Sequence, residues 1–373
     1  MGRDPTAILP VDPLLQKRFV LPLLEQLRRW ETEARGGRRR LPVIGLNGPV
    51  GAGKSTLGRQ LERLAAQFGL RLLVASIDDL YLGWPERGER LAGNPFGVSR
   101  VPPGSHDLPL LLEALAHWRQ GGTLTLPRFD KTLADGQGDR SGWREQACVA
   151  LVLEGWLMGC RPLPELQLTS LMEADPLRRG RPDEAPPGAE QSLWSAAGTP
   201  PLQADEWRWL PRWNRELEAY LPLWQALDGL WLLRPLHWGL PRRWRFQAEA
   251  RQRRAGGGWL PANELERLVR ASLCSLPPDL YQDPLTRELA AAAETLCWQV
   301  GEAPNRDSVC QGSAPCSNGR PEDALGSLAE GVASQDKTSD QPPVQGLAWL
   351  DGRRRCRSVW LQASLSASSS ATG

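Results

Sequence analysis

Lysine is scarce in this 373-residue chain, confined to Lys17, Lys54, Lys131 and Lys337, and arginine carries nearly all of the positive charge. Such a bias needs no functional reason, since a GC-rich genome would produce it too. Net charge is also lacking. Lys+Arg 45 against Asp+Glu 43 leaves +2, which gives no broad field for wrapping nucleic acid or coating a membrane. Any anion site must be local. No run approaches the roughly 20 uncharged apolar residues that span a bilayer; even Ala147 to Met158 is short and interrupted by Glu154. A soluble protein with no membrane partner is expected. The opening residues Met1 to Pro5 put an acid and a proline where a secretory leader needs a charged lead and an apolar run, so export is not expected. The seven cysteines are scattered and no Cys-x-x-Cys pair occurs, which supports neither a disulfide framework nor a zinc site. They read as reduced thiols in a cytoplasmic setting. What is present is an ordinary globular balance, 24% charged and 41% hydrophobic, enough for a sizeable core in about two lobes or one large domain with insertions.

Leucines at helical spacing from Leu14 to Glu33 predict a leading helix before the Gly/Arg patch Arg35–Arg40. Leu41 to Leu46 then reads as a short buried strand, followed by a glycine-rich loop and a helix whose apolar face is Leu57, Leu61, Leu64, Ala65 and Phe68. Arg71 to Ile77 and Ala147 to Leu153 read as further buried strands, with a helix capped by Asp107 between them. Strands alternating with helices predict an α/β class, a mostly parallel sheet flanked by helices. Pro162 to Leu202, rich in Pro, Gly and charge, is expected to be a weakly ordered surface excursion. Helices are expected at Glu206–Trp224, Trp244–Arg254 and Ala262–Leu273, with a strand at Leu230–Leu233. Gly301 to Gln345 has too few large apolar residues to offset its ordering entropy and reads as a disordered insert. Ala348 to Gln362 is expected to return as a strand pair about Asp351–Gly352, before a polar tail from Ser364. The domain reading is 1–40 as an N-terminal helical segment, 41–288 as the main domain, 289–346 as a largely disordered insert, and 347–373 as terminal strands and tail.

The strongest chemical signal is Gly48, Pro49, Val50, Gly51, Ala52, Gly53, Lys54, Ser55 and Thr56, which satisfies G-x-x-x-x-G-K-[ST] after a strand and before a helix. Such a P-loop turns backbone N–H groups toward nucleotide phosphates, with Lys54 reaching the β/γ-phosphates and Ser55 a Mg²⁺ ion. Asp78 and Asp79 follow the second strand, where ligands bind in an open α/β sheet. Either they cap the next segment, or one of them accepts a hydroxyl proton during phosphoryl transfer. Glu154 ends the third strand, either as the acid of the metal shell or as a solvent-facing strand end. Arg100, His106, Arg128, Lys131 and Arg140 sit in two segments that suit phosphate or carboxylate recognition, or a closing loop, and equally suit solvated charges. Tryptophans crowd the later half, and large aromatics at helical spacing are core more often than nucleic-acid stacking platforms. No nucleic-acid partner is expected.

Taken in order, these segments resemble the plant- and cyanobacterial-type D-glycerate 3-kinases, within the P-loop kinases that include uridine, pantothenate and phosphoribulo-kinases. The resemblance rests on Gly48–Thr56, Ser76–Leu82, Pro103–Asp107, Pro127–Lys131 with Gly138–Arg140, Glu154–Trp156 with Gly159, Asn214–Tyr220 with Trp224, Trp244–Glu249 and Leu276–Tyr281. It implies a P-loop NTPase fold with a helical C-terminal portion. It also implies transfer of the ATP γ-phosphoryl group to the 3-hydroxyl of D-glycerate, the closing step of photorespiratory carbon salvage. Asp78 matches the family's base, and Lys54 and Arg140 join it as expected catalytic residues, Arg140 alternatively serving a lid. Ser55 and Glu154 are the expected Mg²⁺ residues. The acceptor is expected among Asp79, Tyr81, Arg100, His106, Asp107, Arg128 and Lys131, with one or more of Arg100, His106, Arg128 and Arg140 at its carboxylate. No obligate protein partner is implied. Another small alcohol as acceptor, or an NTPase switch acting on a partner, are the alternatives. The paired carboxylates favour a kinase, because a switch positions a water and not a bulky alcohol.

Overall fold

The structure, a computed structural model, describes residues 12–174, 199–256, 258–290, 295–299 and 342–362. Its strands are β1 (Val43–Asn47), β2 (Leu72–Ser76), β3 (Leu124–Asp130), β4 (Asp139–Gln146), β5 (Ala150–Gly155), β6 (Gly229–Pro235), β7 (Thr295–Gln299), β8 (Val344–Leu350) and β9 (Cys356–Gln362). Seven of them form one sheet in the order β2-β5-β1-β6-β8-β9-β7, and β3 pairs only with β4. The first five strands of that order run parallel, β9 is antiparallel to β8, and β7 is antiparallel to β9.

Every residue of β1, β5 and β6 is buried, as a parallel sheet covered on both faces demands. Val43, Leu151, Leu153, Leu230 and Leu232 enter one core, while Ile44, Leu46, Val152, Trp231 and Leu233 enter a second. That is the period-two alternation of a strand, so the cores lie on opposite faces of the sheet. Leu111, Leu115 and Trp118 of the helix Leu108–Arg119 and Leu210 and Trp213 of the helix Ala204–Glu216 fill the first core. The second takes Leu23, Leu24 and Leu27 from the helix Leu21–Arg35 and Leu57 and Leu61 from the helix Lys54–Gln67. The N-terminal helix thus shares a core with the main sheet, and Phe19 meets the edge of Trp231 at 4.9 Å. Trp207, Trp213, Trp224, Trp231, Trp238 and Trp244 are buried, which makes them core and removes them as stacking platforms. Among the described residues no helix is long and apolar enough to cross a membrane.

Three segments differ from the sequence reading. Pro127–Lys131 and Gly138–Arg140, expected as loop elements, largely lie in the β3–β4 hairpin, where Phe129 stands opposite Arg140 and Asp130 opposite Asp139. β4 is polar and poorly buried, so it has no alternation to reveal it. Within the excursion expected at 162–202, Glu165–Ala174 is a helix that buries Leu168; residues 175–198 lie outside the described residues. Within the insert expected at 289–346, β7 pairs with β9 and β8 begins at Val344. Those pairings are supplied by partners distant in sequence. Residues 300–341 and the expected tail lie outside the described residues.

Candidate active site

Register brings the chemistry together before any side chain is considered. Leu46 of β1 and Ser76 of β2 both stand beside Glu154 of β5, so the carboxyl ends of three strands are level at one sheet edge. The Gly48–Gly53 loop leaves β1 between β5 and β6, the switch point where an open α/β sheet binds ligands. Gly51 has φ +76°, and a Cβ there would lie 2.7 Å from the Arg245 backbone nitrogen, so only glycine fits. Gly53, at φ +96°, opens the helix Lys54–Gln67 with no side-chain cap, leaving its first turn free to meet an anion. Lys54 Nζ donates to the carbonyls of Gly48 (2.8 Å) and Pro49 (3.2 Å) and stands 3.9 Å from Glu154. Burial lowers its pKa against the opposing pull of Glu154 and Asp78. Ser55 Oγ donates to Glu154 Oε1 at 2.8 Å. Glu154 is therefore buried inward and is not a solvent-facing strand end.

Ser76 ends β2 and its hydroxyl accepts from the Asp78 N–H, so Ser76 caps the short turn Ile77–Leu80. The capping role considered for the aspartates is already filled. Asp78 Oδ1 accepts from the Tyr81 hydroxyl at 3.0 Å, Lys131 Nζ is 3.5 Å from Oδ2, and the side chain remains 34% exposed, within reach of an incoming hydroxyl. Burial would raise its pKa, but Lys131, His106 and Lys54, with the Tyr81 hydrogen bond, outweigh it and hold the carboxyl below its usual range. Asp79 goes the other way, pushed up to about 6 by burial and by the charge of Asp78. Two neighbouring carboxylates are thus split into a committed anion and a group that titrates near neutrality. Beside them lies a cavity of about 470 Å³ whose lining includes Asp79, Arg128, Lys131, Arg144, Leu126 and Phe129.

The raised pKa of Asp79 makes a stability prediction. A carboxyl with a folded-state pKa above its unfolded value favours folding when protonated, so the native state loses stability as pH rises from about 4 through about 6. Asp79→Asn removes that loss, and thermal melting should show a gain of about 1 kcal/mol at pH 8, discounted for partial exposure, that shrinks at pH 5. An equal gain at both pH values would contradict the assignment.

The loop ahead of the helix Leu108–Arg119 is laid against the aspartate turn. The Asp107 N–H donates to the Leu80 carbonyl at 2.7 Å and the Leu82 N–H to that of Ser105 at 3.0 Å, which sets His106 opposite Tyr81 with stacked rings 4.6 Å apart. Val101, at φ +94°, is strained in the same loop, as is common beside functional sites. Arg100, Asp107 and Arg140 are engaged differently from their expected ligand-facing roles. Arg100 donates to the carbonyls of Gly136 and Gln137. Asp107 caps its helix through the Leu110 N–H and pairs with Arg140 at 2.6 Å, while Arg140 Nε donates to the Tyr81 carbonyl. These three fasten the hairpin to the Tyr81 segment. The structure gathers Lys54, Ser55, Asp78, Asp79, Lys131 and Glu154 at the sheet edge, with Tyr81 and His106 packed beside Asp78 and Arg128 lining the cavity.

Sequence reasoning missed three arginines. Arg144 lines the cavity. Arg87 is fully buried and donates to the carbonyls of Leu82, Ser99, Gln137 and Gly138, locking the hairpin turn in place. Arg354, in the β8–β9 turn at φ +60°, donates to the carbonyls of Gly51 and Trp244, each at 2.7 Å. No local pattern marks any of them. Because Arg354 braces the phosphate loop, Arg354→Ala should raise KM for ATP about tenfold while KM for the acceptor stays within twofold in steady-state kinetics. An unchanged ATP KM would dismiss the brace.

No protein-family model matches the chain. It is 30% identical over 257 residues to the chloroplastic D-glycerate 3-kinase of Arabidopsis thaliana, a match covering 65% of this chain and 49% of that protein. This chain therefore spans about half the length of that relative. An uncharacterized kinase of Schizosaccharomyces pombe is 28% identical over 218 residues, covering 56% of this chain and 69% of the other. In fold, the chain is similar to the solved structure of the D-glycerate 3-kinase from Cryptococcus neoformans var. grubii, with TM-score 0.60 and 21% identity over 90% of this chain and 97% of that one. With its P-loop at the switch point of a mostly parallel sheet, the chain is thus similar in sequence to one D-glycerate 3-kinase and in fold to another.

Proposed function

We propose that the protein is an ATP-dependent kinase that transfers the γ-phosphoryl group to the 3-hydroxyl of D-glycerate, giving 3-phosphoglycerate. The observation that carries the reading is Asp78. It is a carboxylate held charged, reachable from solvent, and set between the P-loop lysine and a cavity lined by Arg128, Lys131 and Arg144 together with Asp79 and Asp130. The likeness to the Arabidopsis enzyme supplies the substrate.

In this reading the P-loop N–H groups and Lys54 cradle the β- and γ-phosphates. Ser55 and Glu154, whose oxygens meet at 2.8 Å, are a hard-oxygen pair of the kind that suits Mg²⁺, which when bound neutralises charge on the phosphates. The glycerate carboxylate lies with Arg128, Lys131 and Arg144 in the cavity, and its 3-hydroxyl faces Asp78. The hydroxyl oxygen forms the new bond to the γ-phosphorus as the bond to the bridging oxygen breaks. Asp78 takes the hydroxyl proton, and ADP leaves with the bonding electron pair. Arg87, Arg100 and Arg140 hold the hairpin that walls the cavity and limits water. The cytosol is the compartment proposed, since Cys148, Cys160, Cys274 and Cys356 are free thiols. The product fits photorespiratory carbon salvage.

ADP release measured with D-glycerate, L-glycerate, uridine, pantothenate or no acceptor tests the reading. Strong stimulation by D-glycerate alone is expected. Release without an acceptor would indicate an NTPase switch, and stimulation by another alcohol would keep the kinase chemistry and discard the substrate.

A further inference from the structure

Arg234 lies near the end of β6, the strand that pairs with β1 where the phosphate loop begins, and none of the chemistry above uses it. Its side chain is fully buried. Nη1 donates to Asn47 Oδ1 at 2.8 Å and to the Leu233 carbonyl at 3.1 Å, Nη2 donates to the Gln282 carbonyl at 3.2 Å, and Nε meets no acceptor among the described residues. All three acceptors are neutral. Burial lowers the guanidinium pKa to about 10 against the pull of Cys160 and Asp283, so the group stays charged at neutral pH. Asp283 is itself engaged by the Trp238 indole N–H at 3.0 Å, and no carboxylate stands at ion-pair distance from Arg234 among the described residues. A buried cation without a counter-charge is costly.

The contacts of Asn47 lead from that cation to the phosphate loop. Asn47 is fully buried at the end of β1, and its Nδ2 donates to the Met158 carbonyl at 2.5 Å. The next residue, Gly48, gives its N–H to the Gly155 carbonyl, and its own carbonyl accepts from Lys54 Nζ. β6 is packed against the same residue, since a Cβ at Gly48 would stand 3.0 Å from the Leu233 Cβ. Lys54 registers the neighbouring charge: burial first, with Lys131 and Arg234 behind it, lowers its pKa against Glu154 and Asp78. We propose that Arg234 is a positioning residue of the nucleotide site: Asn47 holds its charge behind the phosphate loop, and the polyphosphate of a bound nucleotide is the counter-charge it lacks. The side chain is too enclosed to touch the phosphates. It acts through the loop it braces and through an interior in which a charge is screened little. This rests on nucleotide binding by the P-loop and not on the acceptor, so it stands or falls separately from the glycerate reading.

The test is equilibrium titration of the full chain with ATP and with ADP, no acceptor being present. Arg234→Gln, which keeps an amide donor for Asn47 and removes the charge, should weaken both nucleotides about tenfold. In steady-state kinetics its KM for ATP should rise alike, while KM for the acceptor stays within about twofold. Arg234→Lys, which keeps the charge, should bind both nucleotides within about threefold of the wild type. The rise in melting temperature that ATP gives should shrink in Arg234→Gln and return in Arg234→Lys. Arg234→Met is the second neutral variant, used if Arg234→Gln does not fold. Wild-type ATP and ADP affinity in a neutral variant, or an Arg234→Lys as weak as Arg234→Gln, would overturn the proposal. So would failure of both neutral variants to fold, which would assign Arg234 to the fold alone. An acceptor other than D-glycerate would end the glycerate reading and leave the titrations, which contain none, to decide the role of Arg234.

Discussion

Asp78→Asn should bind ATP as the wild type does and lose about 10²–10⁴ in kcat, the usual contribution of a positioned general base. The amide keeps the oxygen that accepts from Tyr81, so the turn Ile77–Leu80 and the stacked His106 stay in place. It cannot take the hydroxyl proton, and it removes the negative charge that faces Lys131 and Lys54. Nucleotide affinity from equilibrium titration, set beside single-turnover rates, separates the two effects. Near-normal kcat would remove Asp78 from the base role. Asp79→Asn is the paired control: with its pKa raised to about 6 Asp79 is the more basic of the two carboxylates, so a kcat loss there as large as in Asp78→Asn would move the base role to Asp79.

Lys54→Ala should lose nucleotide affinity and turnover together, with kcat down by about 10²–10³, as when one preorganised donor to developing charge is removed. Lys54 is the cation packed inside the P-loop, with Nζ resting on the carbonyls of Gly48 and Pro49. An arriving phosphate replaces those carbonyls and needs little reorganisation of the lysine. Removing it also leaves Glu154 buried without its nearest cation, so a melting curve should accompany the kinetics. A variant with wild-type stability and wild-type turnover would show that Lys54 does not face the phosphates.

The parts of this site legible in the sequence are those whose meaning is local. Gly48–Ser55 is contiguous, and the conformations of Gly51 and Gly53 are what its pattern requires. Asp78, Asp79 and Glu154 were placed by their position after buried strands, and register brought them level. The arginines could not be read this way. A guanidinium serves a carboxylate, a phosphate or a row of backbone carbonyls equally well, and only the fold shows that Arg100 and Arg140 hold the hairpin while Arg128 lines the cavity. The hairpin itself was hidden because β4, with Ser141, Gly142 and Trp143 exposed, has no apolar face. β7 and the Arg354 brace depend on partners far along the chain; Arg354 is 303 residues from Gly51. Arg234 had no local signal, since its link to Asn47 spans 187 residues.

The central claim is the transfer of phosphoryl to one particular hydroxyl, and the identity of the product tests it most directly. Incubation of the wild-type chain with ATP, Mg²⁺ and D-glycerate, followed by phosphorus NMR and mass of the product, should show 3-phosphoglycerate formed one for one with ADP. Free phosphate in place of a phosphoglycerate, or phosphate attached at the 2-hydroxyl, would contradict the placement of the 3-hydroxyl against Asp78.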